Sequence, residues 1–112
     1  MIEKDLIDLA YKYINCFAKK DLNQMKSMFE RSIILRDWEL NVIGSEEILE
    51  INKSLFNKVR EINVEIINIM VNKNYVAAEL IISFDKNEAI KVVDIIEFSE
   101  DRKIKSIRAY KG

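Results

Sequence analysis

After Arg60 the hydrophobic pattern changes period, and this change limits the fold more than any other feature of the chain. Before it, most apolar residues recur at steps of three and four; beyond it, they alternate. The first pattern marks amphipathic helices and the second half-buried strands. Over residues 2–19, Leu6, Leu9, Ala10, Tyr13, Ile14 and Phe17 form one helical stripe. Asp21 stands where it can cap a second, short helix whose Leu22, Met25, Met28 and Phe29 face inward. Ser45 opens a third helix, with Glu46 and Glu47 in the turn where the dipole favours acids. Ile48, Leu49, Ile51, Leu55, Phe56 and Val59 supply its buried side. Between these two helices, residues 32–38 read as a strand and residues 41–45, around Gly44, as a turn.

Beyond Arg60, residues 62–71, 75–84, 88–99 and 103–110 read as four strands. The turns Asn72-Lys73-Asn74, Asp85-Lys86-Asn87 and Glu100-Asp101-Arg102 join them into an antiparallel meander. Asparagine supplies the positive φ that such turns need where glycine is absent. Three helices with a strand among them, followed by four strands, define an α+β protein. With 112 residues, no proline, no repeat and no linker, a single domain over residues 1–112 is expected.

Composition narrows the function classes. At 49% hydrophobic and 33% charged, the chain reads as a soluble globular protein rather than a disordered tail or a membrane span. No apolar run approaches the roughly 18 residues of a membrane helix. The charged start lacks an export signature, so a cytoplasmic location is expected. A net charge of −1 offers no case for nucleic acid. Arg102, Lys103, Lys105, Arg108 and Lys111 are interleaved with Glu97, Glu100 and Asp101 and read as a solvated edge. The single cysteine, Cys16, excludes an intrachain disulfide and reads as a small buried hydrophobe. Histidine is absent, which removes Ser-His-Asp catalysis and histidine-based zinc or iron sites. Aspartate, glutamate, lysine and tyrosine remain for acid–base work, and no metal or cofactor is expected.

Three residues break the pattern. Ile90, Val92, Asp94, Ile96 and Phe98 share one side of a strand, and a carboxylate among four apolar neighbours is costly unless bonded, paired or protonated. Asp37 ends the apolar side that carries Ile33 and Leu35, and Tyr13 lies on the apolar stripe of the first helix. Polar groups in such places often do chemistry. They can also form a satisfied cluster, with Tyr13 bonding Asp94 directly. Several strands are apolar on both faces: Ile67, Ile69 and Val71 oppose Ile66 and Met70, while Val93 and Ile95 oppose Val92 and Ile96. One face packs on the helices and the other calls for a second cover, so a homodimer through the sheet is expected.

The element order resembles the NTF2-like superfamily, which includes SnoaL-like cyclases and ketosteroid isomerase. The residues that carry the resemblance are Tyr13-Ile14-Asn15-Cys16-Phe17-Ala18-Lys19-Lys20-Asp21-Leu22, then Met28-Phe29, and the turn and helix Ile43-Gly44-Ser45-Glu46-Glu47-Ile48. The resemblance implies an NTF2-like cone, with three N-terminal helices packed on a curved, mainly antiparallel sheet. The match is sharper with ketosteroid isomerase. Counting from Asp21-Leu22, Tyr13 falls on the oxyanion tyrosine and Asp37 on the general base; counting back from Ser106-Ile107-Arg108-Ala109, Asp94 falls on the oxyanion aspartate. The chain departs from that enzyme in having Trp38 where it has proline, and in a shorter segment over residues 37–44. A different cavity mouth follows, and a steroid substrate does not.

On this comparison Asp37 lifts a proton beside a carbonyl, while Tyr13 and a protonated Asp94 hold the oxygen that gains charge. The apolar neighbours of Asp94 raise its pKa, the direction this role requires. Tyr13 and Asp94 should then lie within bonding reach of each other. Phe17, Trp38, Phe56, Phe84 and Phe98 are candidate walls of a substrate pocket. The expected protein is a cofactor-free isomerase or cyclase acting on a small molecule. A non-catalytic ligand-binding or dimerisation domain and an epoxide hydrolase are the alternatives, the latter with Asp37 activating water and Asp94 protonating the epoxide.

Overall fold

The computed structural model describes residues 3–112, so Ile2, at the edge of the first helical pattern, lies outside the described residues. Helices α1 (Glu3–Lys19) and α2 (Leu22–Met28) lead into strand β1 (Phe29–Arg36) and a three-residue strand β2 (Asn41–Ile43). Helix α3 (Ser45–Lys58) follows, and then β3 (Ile62–Asn72), β4 (Tyr75–Phe84), β5 (Ile90–Phe98) and β6 (Ile104–Lys111). The α+β class is as expected, but the third helix comes after two strands rather than joining an N-terminal trio. Residues 41–43, expected as a turn, pair with β1 at Ile34–Ile43 and Arg36–Asn41. A short strand containing a single valine leaves too little alternation to read from sequence.

All six strands form one sheet in the order β2-β1-β6-β5-β4-β3. The meander of β3 to β6 is antiparallel, whereas β6 lies parallel to β1, with Ile34 opposite Ser106 and Arg36 opposite Arg108. Irregular register between Ile66 and Asn68, and again between Glu97 and Phe98, bends the sheet. The first of these corrects the expected faces of β3. One extra residue turns Ile66 and Ile69 to the same, core-packed side and leaves Ile67 and Met70 exposed.

The core lies between the concave face and the helices. Leu6, Ala10 and Ile14 of α1, Ile48 of α3, and Leu80, Ile96, Phe98, Ile104 and Ile107 of the sheet are buried there. Asp21 caps α2 as expected, its Oδ1 accepting from Gln24 N at 3.1 Å. Helix α3 is instead capped by Gly44 at φ 107°, with no side-chain bond. In the three hairpin turns the positive φ falls on Lys73, Asp85 and Arg102, not on the asparagines. At Asp85 the local compensation is visible, since its Oδ1 accepts from the Arg60 and Glu61 amides at 2.8 and 2.9 Å.

Lys20 fastens α3 over the concave face. It ends α1 in the left-handed region, at φ 61°. From there its ammonium donates to the Phe56, Val59 and Arg60 carbonyls at the end of α3, where helical carbonyls lack partners. Lys20→Met retains the stem and removes the donor. It is expected to lower stability by about 2 kcal/mol, the scale of hydrogen bonds to a charged group. Urea unfolding checks this, and Lys20→Arg should recover part of the loss.

Candidate active site

The concave face does not close fully against the helices. A cavity of about 190 Å³ remains, lined by α1, β1, α3 and the inner side of β3 to β6. Its walls are mainly apolar, including Ile14, Leu35, Ile51, Leu55, Val64, Leu80, Ile82, Val92 and Ile107. Small residues explain the space around one polar group. On the strands either side of Asp94, its register partners are Ala78 and Ala109. A larger side chain at either position would fill the volume beside the carboxyl.

Tyr13, Asp37 and Asp94 all line this cavity. Tyr13 sits on the buried stripe of α1 with Ala10, Ile14 and Cys16. Its ring tilts against Phe29 at 6.1 Å. Asp94 projects from the middle of β5, where the inward alternation of Val92, Ile96 and Phe98 carries it. Half-buried by area, it is nonetheless ringed by protein, because the area left open faces the cavity. Burial pushes its carboxyl up to about 7, and the negative charge of Asp37 adds to the rise. The Tyr13 phenol is also raised, first by burial and then by Asp94 and Cys16, so it keeps its proton.

The expected bonding contact between Tyr13 and Asp94 is not found. Among the described residues no hydrogen bond joins Tyr13 to Asp94, although each feels the same enclosed space. The directly bonded, self-satisfied pair is therefore absent. Two donors for one ligand oxygen need only converge on it and need not touch each other.

Asp37 follows the last residue of β1 and starts the turn into β2. Its Oδ1 accepts from the Glu39 and Leu40 amides, both at 2.7 Å, and its own amide donates to the Leu40 carbonyl at 2.9 Å. These bonds fix one carboxylate oxygen, while Oδ2 takes part in no hydrogen bond among the described residues, and Asp37 lines the cavity. Trp38 comes next. It lines the opening while remaining 45% exposed, with the Lys111 ammonium 5.8 Å from its ring centre.

The aromatic candidates divide. Phe17, Trp38 and Phe84 line the cavity, with Phe17 and Phe84 meeting edge to face at 6.5 Å. Phe56 and Phe98 do not. Phe56 stands behind the wall, edge-on to Phe17 at 5.7 Å, and Phe98 is sunk in the core at 1% exposure. One lining residue escaped the sequence reading. Asn52 lies on the buried stripe of α3 between Ile48 and Phe56 and faces the cavity. The signal was its position, four residues from each of two buried apolar neighbours.

Cys16 is buried, as expected, and its thiol is raised by burial and by Asp21, which keeps it a poor nucleophile. Among the described residues, no three His, Cys, Asp or Glu side chains gather where they could hold a metal ion. No helix there is long and apolar enough to cross a membrane.

Comparison with solved structures supports the fold. A protein from Kribbella flavida, provisionally named a ketosteroid isomerase, superposes with a TM-score of 0.86 at 10% identity, covering 98% of this chain and 79% of that one. An LEH-like epoxide hydrolase from M. tuberculosis gives 0.84 at 14% identity, covering 98% and 84%. A de novo designed protein with a curved β-sheet also gives 0.84, at 17% identity, covering 100% and 88%. Since enzymes and a design share this shape, the shape alone specifies no reaction. No curated protein matches the sequence. The SnoaL-like domain model does, over residues 10–107, and with the NTF2-like architecture described above this establishes that the chain belongs to the SnoaL-like family.

Proposed function

We propose that the cavity enolises a small carbonyl compound, in the manner of an isomerase or cyclase. Asp37 takes a proton from the carbon beside the carbonyl, through the carboxylate oxygen that its turn does not engage. Tyr13 and the protonated Asp94 donate to the carbonyl oxygen as it gains negative charge. The proton returns to the same or another carbon, and no redox change occurs. The observation that carries this reading is a carboxyl whose pKa burial raises to about 7 in an apolar cavity, facing a tyrosine of the same lining, neither side chain hydrogen-bonded among the described residues. A carboxylic acid kept neutral in this way can donate where an ordinary carboxylate cannot.

Phenol, which mimics an enolate, tests the donor pair. Titration followed by NMR should show phenol bound in the cavity, with affinity falling about tenfold or more in Tyr13→Phe, the scale of one charge-assisted bond. Absence of phenol binding, or equal binding by Tyr13→Phe, would leave a pocket without oxyanion chemistry. Donation by Asp94 also sets a pH limit. Turnover should decline as pH rises through about 7, where the carboxyl loses its proton.

The convex face of the sheet supports a second element of this reading. Ile34, Ile67, Met70 and Tyr110 are exposed there, beside the half-buried Val93 and Ile95. A second copy packed on that face would cover them. Light scattering at micromolar concentration should report twice the 13.2 kDa of one chain. A species of 13.2 kDa alone would exclude the dimer.

A further inference from the structure

The enolisation reading uses three polar groups, but a fourth faces the same cavity. Asn52 is 8% exposed and lines the cavity, and none of the side-chain hydrogen bonds found among the described residues involves its amide. Leaving an amide unpartnered in an apolar setting costs stability. Leucine has the same branched outline and number of side-chain heavy atoms and would suit the stripe of Ile48 and Phe56 better. Such a residue makes sense where a ligand supplies the missing partner, and stability is given up for recognition.

The remaining lining bounds that ligand. It holds no lysine or arginine to balance a resident anion, and Asp37 adds a like charge on the wall. At about 190 Å³ the cavity is only somewhat larger than the roughly 150 Å³ apolar cavity that accommodates benzene. One ring or two fused rings match that volume, whereas a tetracyclic compound would extend out through the opening beside Trp38.

We propose that Asn52 is a specificity residue, and that the substrate is a neutral compound of one or two rings with two oxygen functions. One, the carbonyl, meets Tyr13 and Asp94; the other, a hydroxyl or second carbonyl, meets the Asn52 amide. This rests on the enolisation reading, because that reading orients the first oxygen.

The test compares phenol with its singly hydroxylated relatives catechol, resorcinol and hydroquinone, so that the second oxygen samples each ring position. In the wild-type protein at least one diphenol should bind about tenfold more tightly than phenol. In Asn52→Leu that advantage should vanish while phenol affinity is kept. The same variant without ligand should melt about 4 °C or more higher, because an unpartnered amide has been removed. Finally, 4-hydroxybenzoate should bind at least tenfold more weakly than hydroquinone, since its carboxylate would enter an apolar lining that holds no lysine or arginine.

The outcomes separate the two readings. If phenol binds through Tyr13 but Asn52→Leu leaves the diphenol-to-phenol ratio unchanged, the role of Asn52 is overturned and enolisation stands. A fall in melting temperature in Asn52→Leu would likewise assign the amide to the scaffold. Tight binding of 4-hydroxybenzoate would overturn the neutral substrate class. If phenol fails to bind, both readings fall.

Discussion

Asp37→Asn is expected to slow α-proton exchange by two to four orders of magnitude, about the range for a positioned general base. The assay needs no knowledge of the natural substrate. Cyclohexanone in D2O exchanges its α-hydrogens slowly, and NMR counts the deuterium gained. The wild-type protein should accelerate this exchange at pH 6, where Asp94 still holds its proton. Asparagine can still accept from the Glu39 and Leu40 amides through its own Oδ1, so the turn should survive. What it lacks is the second carboxylate oxygen and the charge. Because the fold is retained, the loss can be assigned to proton transfer. Equal rates in the two proteins would remove Asp37 from the chemistry. A wild-type rate no faster than buffer would remove the chemistry altogether.

Asp94→Asn is expected to stabilise the protein, and increasingly so as pH rises. The carboxyl is raised from 3.8 to about 7 on folding. At pH values below about 3.8 it is protonated in both states and contributes no difference. Between 3.8 and about 7 the unfolded chain releases the proton and the folded chain retains it, so stability falls with rising pH. At about 1.4 kcal/mol per pH unit, the full penalty approaches about 4 kcal/mol above pH 7. Asparagine has the same shape and no charge to desolvate. Urea unfolding of the two proteins should therefore give similar stabilities near pH 4 and diverge by a few kcal/mol by pH 8. Parallel curves would mean that the carboxyl is well solvated and cannot serve as a neutral donor. Together with the Asp37→Asn result, this describes a site whose function works against the stability of its scaffold.

The sequence and the structure meet where the information is local. Strand alternation shows Asp94 on the inner face because every second residue from Ile90 to Phe98 points the same way. The stripe of α1 shows Tyr13 inside for the equivalent reason at a period of 3.6. Non-local pairing stayed hidden. Nothing near Asp94 in the chain reveals that Ala78 and Ala109 flank it, yet those two contacts make the space around the carboxyl. The irregular register at Ile67 was invisible too, since a single unpaired residue reverses the faces without changing composition. Phe56 and Phe98 show the limit of treating aromatics as cavity walls. Periodicity says that they point inward but not how deep, and both lie in packed regions. Asn52 was legible by position but masked by type, because an amide within a helical stripe reads as a polar interruption.

The parallel pairing of β1 with β6 also constrains how the molecule is made. These two strands are separated by most of the chain, and β6 alone connects the β2-β1 edge to the rest of the sheet. On a ribosome, β1 must wait with an unsatisfied backbone edge until nearly everything described has been synthesised. Folding should thus be governed by one late, entropically expensive closure rather than by progressive growth. Nascent chains stalled before β6 would display an adhesive strand edge, and so would be natural clients for chaperones.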